Sequence, residues 1–116
     1  MADAKHHPYS LAYEKDGIVY VSGATSIDYE THKAVPGRRE ALDAALNEVE
    51  KRLASVGLDL SHVVKATYYL LDLSLRNEAN QQYEERFQVP RPARTVIGVS
   101  AIPYDGVCVI DVIAHR

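Results

Sequence analysis

The feature that most constrains this chain is a stripe of apolar residues near its middle. Leu42, Leu46, Val49, Leu53 and Val56 recur at steps of four, three, four and three, the repeat of one face of an α-helix. Arg38, Arg39, Asp43, Glu50 and Lys51 fall largely on the other sides, and Gly57 follows as a stop signal. The reading is a helix over residues 38 to about 56. A helix with one oily face must bury it against another layer. The rest of the chain has to supply that layer.

Strand-like runs do so on both sides of the stripe. Residues 10–15 and 18–23 flank Asp16-Gly17, a two-residue hairpin signal. The second run ends in Ser22-Gly23-Ala24-Thr25-Ser26, small residues that let a backbone approach a ligand or another chain. Residues 28–37 are polar and close on Pro36-Gly37, a loop marker. Residues 62–71 read as a central strand, with Val64, Ala66, Tyr68 and Leu70 facing the helices and Val63, Lys65, Thr67, Tyr69 and Leu71 facing away. Residues 75–87 return to helix, with Ala79, Tyr83 and Phe87 on one face. Strands over 93–99 and 107–114 follow, joined by a loop through Pro103-Tyr104-Asp105-Gly106.

The order ββ-α-β-α-ββ gives one domain over residues 1–116 of the α/β (α+β) class. It is a two-layer sandwich, a mixed sheet with two helices on one face. The second sheet face has no helix of its own and carries tyrosine, threonine and valine. With 8 tyrosines and no tryptophan in the chain, that face suits packing against a partner subunit.

Charge and cysteine usage narrow the function classes. A net charge of -3 argues against a nucleic-acid binder that works by neutralising phosphates. No apolar run approaches the ~20 residues that span a bilayer, so no membrane partner is expected. The first eight residues lack the apolar core of a secretory signal. A single cysteine, Cys108, allows no internal disulfide, and the expectation is a cytoplasmic protein.

Common catalytic patterns are missing from the sequence. There is no phosphate-binding glycine loop and no nucleophile elbow. His6-His7 is a neighbouring pair near the terminus, and His32, His62 and His115 are isolated, so no metal is expected. Cys108 lies inside an apolar strand, where a small buried hydrophobe and a reactive thiol are the alternatives. What stands out is Pro90-Arg91-Pro92-Ala93-Arg94-Thr95, in which two prolines forbid a helix and an arginine sits where the next strand begins. Such an arginine either serves a surface ion pair or offers a charged fork to a carboxylate or phosphate. Tyr9, Ser22-Gly23 and Asn80 are further polar groups at element ends. Spacing alone does not bring them together.

Several pieces, in this order, carry a family resemblance. They are Pro8-Tyr9-Ser10, Val19-Tyr20-Val21-Ser22-Gly23, Val63-Val64-Lys65-Ala66-Thr67, Asn80-Gln81-Gln82-Tyr83, Pro92-Ala93-Arg94-Thr95, Ile102-Pro103 and Ile110-Asp111-Val112-Ile113-Ala114. Over nearly its whole length the chain resembles the RidA (YjgF-like) family of enamine/imine deaminases. The resemblance implies a chorismate-mutase-like subunit in a homotrimer with clefts between neighbours. It implies small 2-imino or 2-enamino acids as substrates, 2-oxo acids and ammonia as products, and no cofactor. It assigns Arg94 as the carboxylate anchor, with Tyr9, Ser22, Gly23 and Asn80 as the other binding residues.

One departure from the family matters. Many active relatives carry a glutamate on the last strand, two residues before the position of Asp111, thought to orient the attacking water. Here that position is Val109, which handles no proton. Asp111 shares its strand parity about 6.6 Å further along and is the candidate for water handling. The position two after Arg94, often cysteine in relatives, is Val96. The alternative to a deaminase is therefore a trimer that binds carboxylate metabolites without hydrolysing them, or a relative with different specificity.

Overall fold

The helical stripe forms as its spacing requires. In the computed structural model, which describes residues 7–116, helix α1 (Arg38–Ala54) buries Leu42, Leu46, Val49 and Leu53 completely. Val56 lies just past the helix, partly buried against the same core. Gly57 adopts φ +80°, which only glycine takes without strain, and the Leu58 N–H turns back to the Leu53 carbonyl at 3.0 Å.

The opposing layer is a five-stranded sheet in the order β1-β2-β7-β5-β6. Its strands are β1 (Ala12–Lys15), β2 (Ile18–Thr25), β5 (Val63–Leu70), β6 (Ala93–Gly98) and β7 (Cys108–His115). Only β5 and β6 pair in parallel, joined across helix α2 (Arg76–Arg86), so the sheet is mixed and both helices cover one face. Ala24 of β2, Ala66, Tyr68 and Leu70 of β5, and Cys108, Ile110 and Ala114 of β7 are fully buried beneath them. The expected two-layer sandwich is the observed architecture.

Three details depart from the sequence reading. Val64 is 50% exposed and Val63 is buried, the reverse of simple alternation. The register skips from Val63 opposite Ala114 to Lys65 opposite Ile113, so one extra residue in β5 makes a bulge that reverses parity there. Residues 28–37 hold a small hairpin, β3 (Ile27–Asp28) and β4 (Lys33–Ala34), whose turn is fixed by the Glu30 N–H on Asp28 Oδ1 at 2.8 Å. The second helix begins later than expected, because Asp72 first caps a short 3-10 turn, Leu73–Leu75, by accepting from the Ser74 N–H.

Among the described residues no helix crosses the second sheet face. Tyr20 pairs with Ile113, Tyr69 with Val109, and Thr67 with both Asp111 and Thr95, so these residues share that face. Tyr20 and Ile97 on it are 46% and 42% exposed.

Candidate functional site

Arg94 is the second residue of strand β6 and pairs with Ala66, so its side chain starts on the helix side of the sheet. Because β6 is an edge strand, the guanidinium reaches the rim rather than the core. It lies over the rings of Tyr68 and Tyr83, 5.3 and 4.9 Å from their centres. Its nitrogens donate to Asn80 Oδ1 and, at 3.4 Å, to the Ala79 carbonyl, which sets its rotation. The rings are themselves fixed. Tyr83 donates to the Pro92 carbonyl at 3.1 Å, and Tyr68 donates to Gln82 Oε1 at 2.7 Å, with Gln82 donating in turn to Asp43. Burial raises the Tyr83 phenol to about 12 against the opposing pull of Arg94, so a neutral ring faces the cation near neutral pH.

What Arg94 lacks is an acid. Arg38, Arg39, Arg52, Arg86 and Arg116 each pair with a carboxylate, but among the described residues none lies within ion-pair distance of Arg94. Arg91, its neighbour in the proline-rich stretch, donates to the Phe87 and Glu84 carbonyls and closes the end of α2. That role is structural.

A second polar group gathers on the other side of the sheet. In β2 the register jumps from Val21 opposite Val112 to Ala24 opposite Ile110, so Ser22 and Gly23 form a bulge beside Asp111. A Cβ on Gly23 would lie 2.7 Å from Val109 Cγ1, closer than real contacts allow, so any side chain here would have to displace Val109. The Ser22 hydroxyl donates to the Ser10 carbonyl at 2.7 Å and its N–H to Leu11 at 2.9 Å. Ser22 thereby ties down the entry segment that carries Tyr9, which is 54% exposed with its ring against His7.

These two groups do not meet within one chain. β2 is three strand intervals from β6, roughly 14 Å at the usual spacing, too far for one small acid to touch both. Asp111 is also on the opposite face from Arg94, since it aligns with Thr67 while Arg94 aligns with Ala66.

On the uncovered face, Asp111 Oδ2 accepts from the Tyr69 hydroxyl at 2.9 Å, and Lys65 Nζ donates to Thr95 Oγ1 at 2.6 Å. Desolvation is the main cause raising the Asp111 carboxyl above its ordinary value, opposed by the Tyr69 bond and the Lys65 charge. Sequence reasoning singled out Asp111 but not Lys65, Tyr69 or Thr95. The signal available was the polar alternation Lys65-Thr67-Tyr69 along a strand otherwise built of core residues.

The raised Asp111 pKa has a defined effect on stability. The folded chain holds this proton more tightly than the unfolded chain, so its contribution is full below the ordinary value of 3.8 and is lost as pH rises through the folded value. Asp111→Asn removes that loss. Melting curves between about pH 4 and 7 should show the variant gaining on wild type as pH rises, with most of the change just above the ordinary carboxylate range.

No three His, Cys, Asp or Glu side chains gather into a metal-holding group among the described residues, and His6 of the histidine pair lies outside them. No helix among the described residues is long and apolar enough to cross a membrane. Cys108 is buried and burial raises its thiol to about 12, so the small-hydrophobe alternative is the one the structure supports.

The family model described as Endoribonuclease L-PSP, which covers the RidA and YjgF proteins, matches residues 2–116. The chain belongs to that family. A 2-iminobutanoate/2-iminopropanoate deaminase of Bos taurus is 36% identical over 114 residues, 97% of this chain and 83% of the relative. A RutC family protein of Aquifex aeolicus (strain VF5) is 34% identical over 111 residues, 94% of this chain and 89% of the relative. The crystal structure of RidA from the Antarctic bacterium Psychrobacter sp. PAMC 21119 has a TM-score of 0.89 at 29% identity, covering 95% of this chain and 89% of that one. The mixed sheet with its two helices is thus the RidA fold.

Proposed function

We propose that this RidA-family protein hydrolyses small 2-imino and 2-enamino acids in a cleft shared by two subunits of a cytoplasmic homotrimer. The observation that carries the reading is Arg94, a half-buried guanidinium set against two tyrosine rings with no acid partner among the described residues. Its fork grips the substrate carboxylate, which fixes the adjacent imine carbon. Water adds to that carbon, the nitrogen takes up protons, and the C–N bond breaks to leave a 2-oxo acid and ammonia. Free imines hydrolyse readily, so positioning and modest electrostatic help suffice for useful acceleration.

Distance supports the shared cleft. Gly23, Ser22 and Tyr9 lie too far from Arg94 within one chain, so a neighbour supplies them, and the uncovered sheet face packs in the same assembly. Asp111, held by Tyr69 and reachable from that face, is the group available to orient water. The deaminase name of a relative at 36% identity supports the chemistry. Val109 supports a second reading, in which the cleft binds a carboxylate without hydrolysing it, because an apolar side chain occupies the place of the water-orienting glutamate.

The two readings separate in a coupled assay. An amino-acid oxidase generates 2-imino acids, and their decay is followed with and without the protein. Faster decay supports the deaminase. Decay at background for every imino acid, with saturable binding of 2-oxo acids, selects the second reading. Light scattering should give three chains of 12.9 kDa, and a monomer would remove the shared cleft from both readings.

A further inference from the structure

Arg52 is the one charged side chain that is buried among the described residues, 5% exposed on the sheet side of α1. Its Nε donates to Glu48 Oε2 at 2.9 Å, and Glu48 is itself 12% exposed. Its Nη1 donates to the Ser22 carbonyl at 2.8 Å and to the Gly23 carbonyl at 3.3 Å. The guanidinium also lies over the Tyr29 ring at 5.4 Å, and the Tyr29 hydroxyl accepts from the Thr25 N–H at 2.8 Å. Arg52 therefore holds the underside of the bulge, with Glu48 fixing its guanidinium and Tyr29 gripping β2 two residues further on at Thr25.

This arrangement is costly. Position 52 adjoins Leu53 and lies one turn from Val49, where an apolar side chain would fill the helix–sheet layer. Apolar replacement of a buried ion pair is often neutral or stabilising, so core stability alone gives no reason for Arg52 and Glu48. The two carbonyls give one. Consecutive carbonyls of a regular strand point to opposite sides, whereas here both reach a single nitrogen. The Ser22–Gly23 peptide is trans, so its N–H points opposite to its carbonyl. A Ser22 carbonyl drawn towards the helices turns the Gly23 N–H towards the uncovered face, next to Val109.

We propose that Arg52 is a positioning residue, which locks the Ser22–Gly23 peptide so that the Gly23 N–H donates to the substrate carboxylate. The inference rests on the carboxylate cleft proposed above and adds the device that orients its backbone donor. Arg52 touches no substrate. Its effect is on binding, while the chemistry after binding is left to other groups.

The test uses the full-length protein, labelled with ¹⁵N and titrated with 2-oxobutanoate as the probe. In wild type the Gly23 amide and the Arg94 Nε resonances should both shift. Arg52→Met combined with Glu48→Gln leaves no unpaired charge. It should keep the Arg94 response, lose the Gly23 response, and raise Kd and KM about tenfold with kcat within about twofold, the loss expected for one hydrogen bond to a charged group. Arg52→Lys keeps a charge for Glu48 but loses the fork, and should fall between the two. It decides the matter if the double variant does not fold. A Gly23 shift and a Kd equal to wild type in either folded variant overturn the role of Arg52 alone. Wild-type protein that shows neither shift and leaves imino-acid decay at background overturns the cleft reading, and this proposal with it.

Discussion

Arg94→Ala should lower kcat/KM for imino-acid hydrolysis by about two to three orders of magnitude. Two parallel charge-assisted hydrogen bonds at roughly 1.5–3 kcal/mol each set that scale. Because the anchor positions the reacting carbon, both KM and kcat should suffer. Stability should change far less: Arg94 has no carboxylate partner among the described residues, and its cation–π contacts at a half-exposed rim are worth about 1 kcal/mol. Arg94→Lys keeps the charge but not the planar fork, and should recover only part of the activity. The coupled oxidase assay reads all three proteins, with melting temperature as the control for folding. Equal imino-acid decay in wild type and Arg94→Ala would falsify the anchor.

Val109→Glu should raise kcat by about a hundredfold, the lower end of what a positioned acid–base group contributes. The substituted carboxylate would stand beside Gly23 and Tyr69 on the uncovered face. A gain in kcat with little change in KM means that wild type lacks only the water-orienting group. No gain means that the Asp111–Tyr69 pair already handles water, and Asp111→Asn in wild type should then cost the activity that Val109→Glu failed to add. A single set of single-turnover measurements on the three proteins separates these outcomes.

Much of the fold was legible in the sequence for local reasons. The stripe from Leu42 to Leu53 and the trio Ala79, Tyr83 and Phe87 are buried as their spacing requires, because a helix of fixed pitch leaves little choice about which residues share a face. Asp16-Gly17 marks the first hairpin for the same kind of reason: both residues sit at positive φ, as that tight turn demands. The bulges were not legible. Val63-Val64 and Ser22-Gly23 fit regular strands equally well, and a bulge exists only where two strands must reconcile their registers. Alternation alone puts Val64 inside, and the bulge turns it out.

The candidate site divides along the same line. Arg94, Gly23, Asn80, Ser22, Tyr9 and Asp111 were singled out as residue types at element ends and through a family pattern, which needs only order along the chain. Their relations needed the folded molecule. Arg94 joins Asn80 because β6 and α2 pack together, while Gly23 and Asp111 lie across the sheet, and Tyr69, Lys65 and Arg52 enter only through contacts distant in sequence. Helix pitch and turn chemistry are local, so the sequence by itself determined the main helices and strands, their order and the arginine at a strand entrance, but not the small β3–β4 hairpin. Register, the face on which each polar group emerges and the partners of each charge depend on long-range packing. Tertiary structure alone decided that Arg94 has no acid partner among the described residues, that Val109 touches the space above Gly23, and that Gly23 and Arg94 lie far apart within one chain.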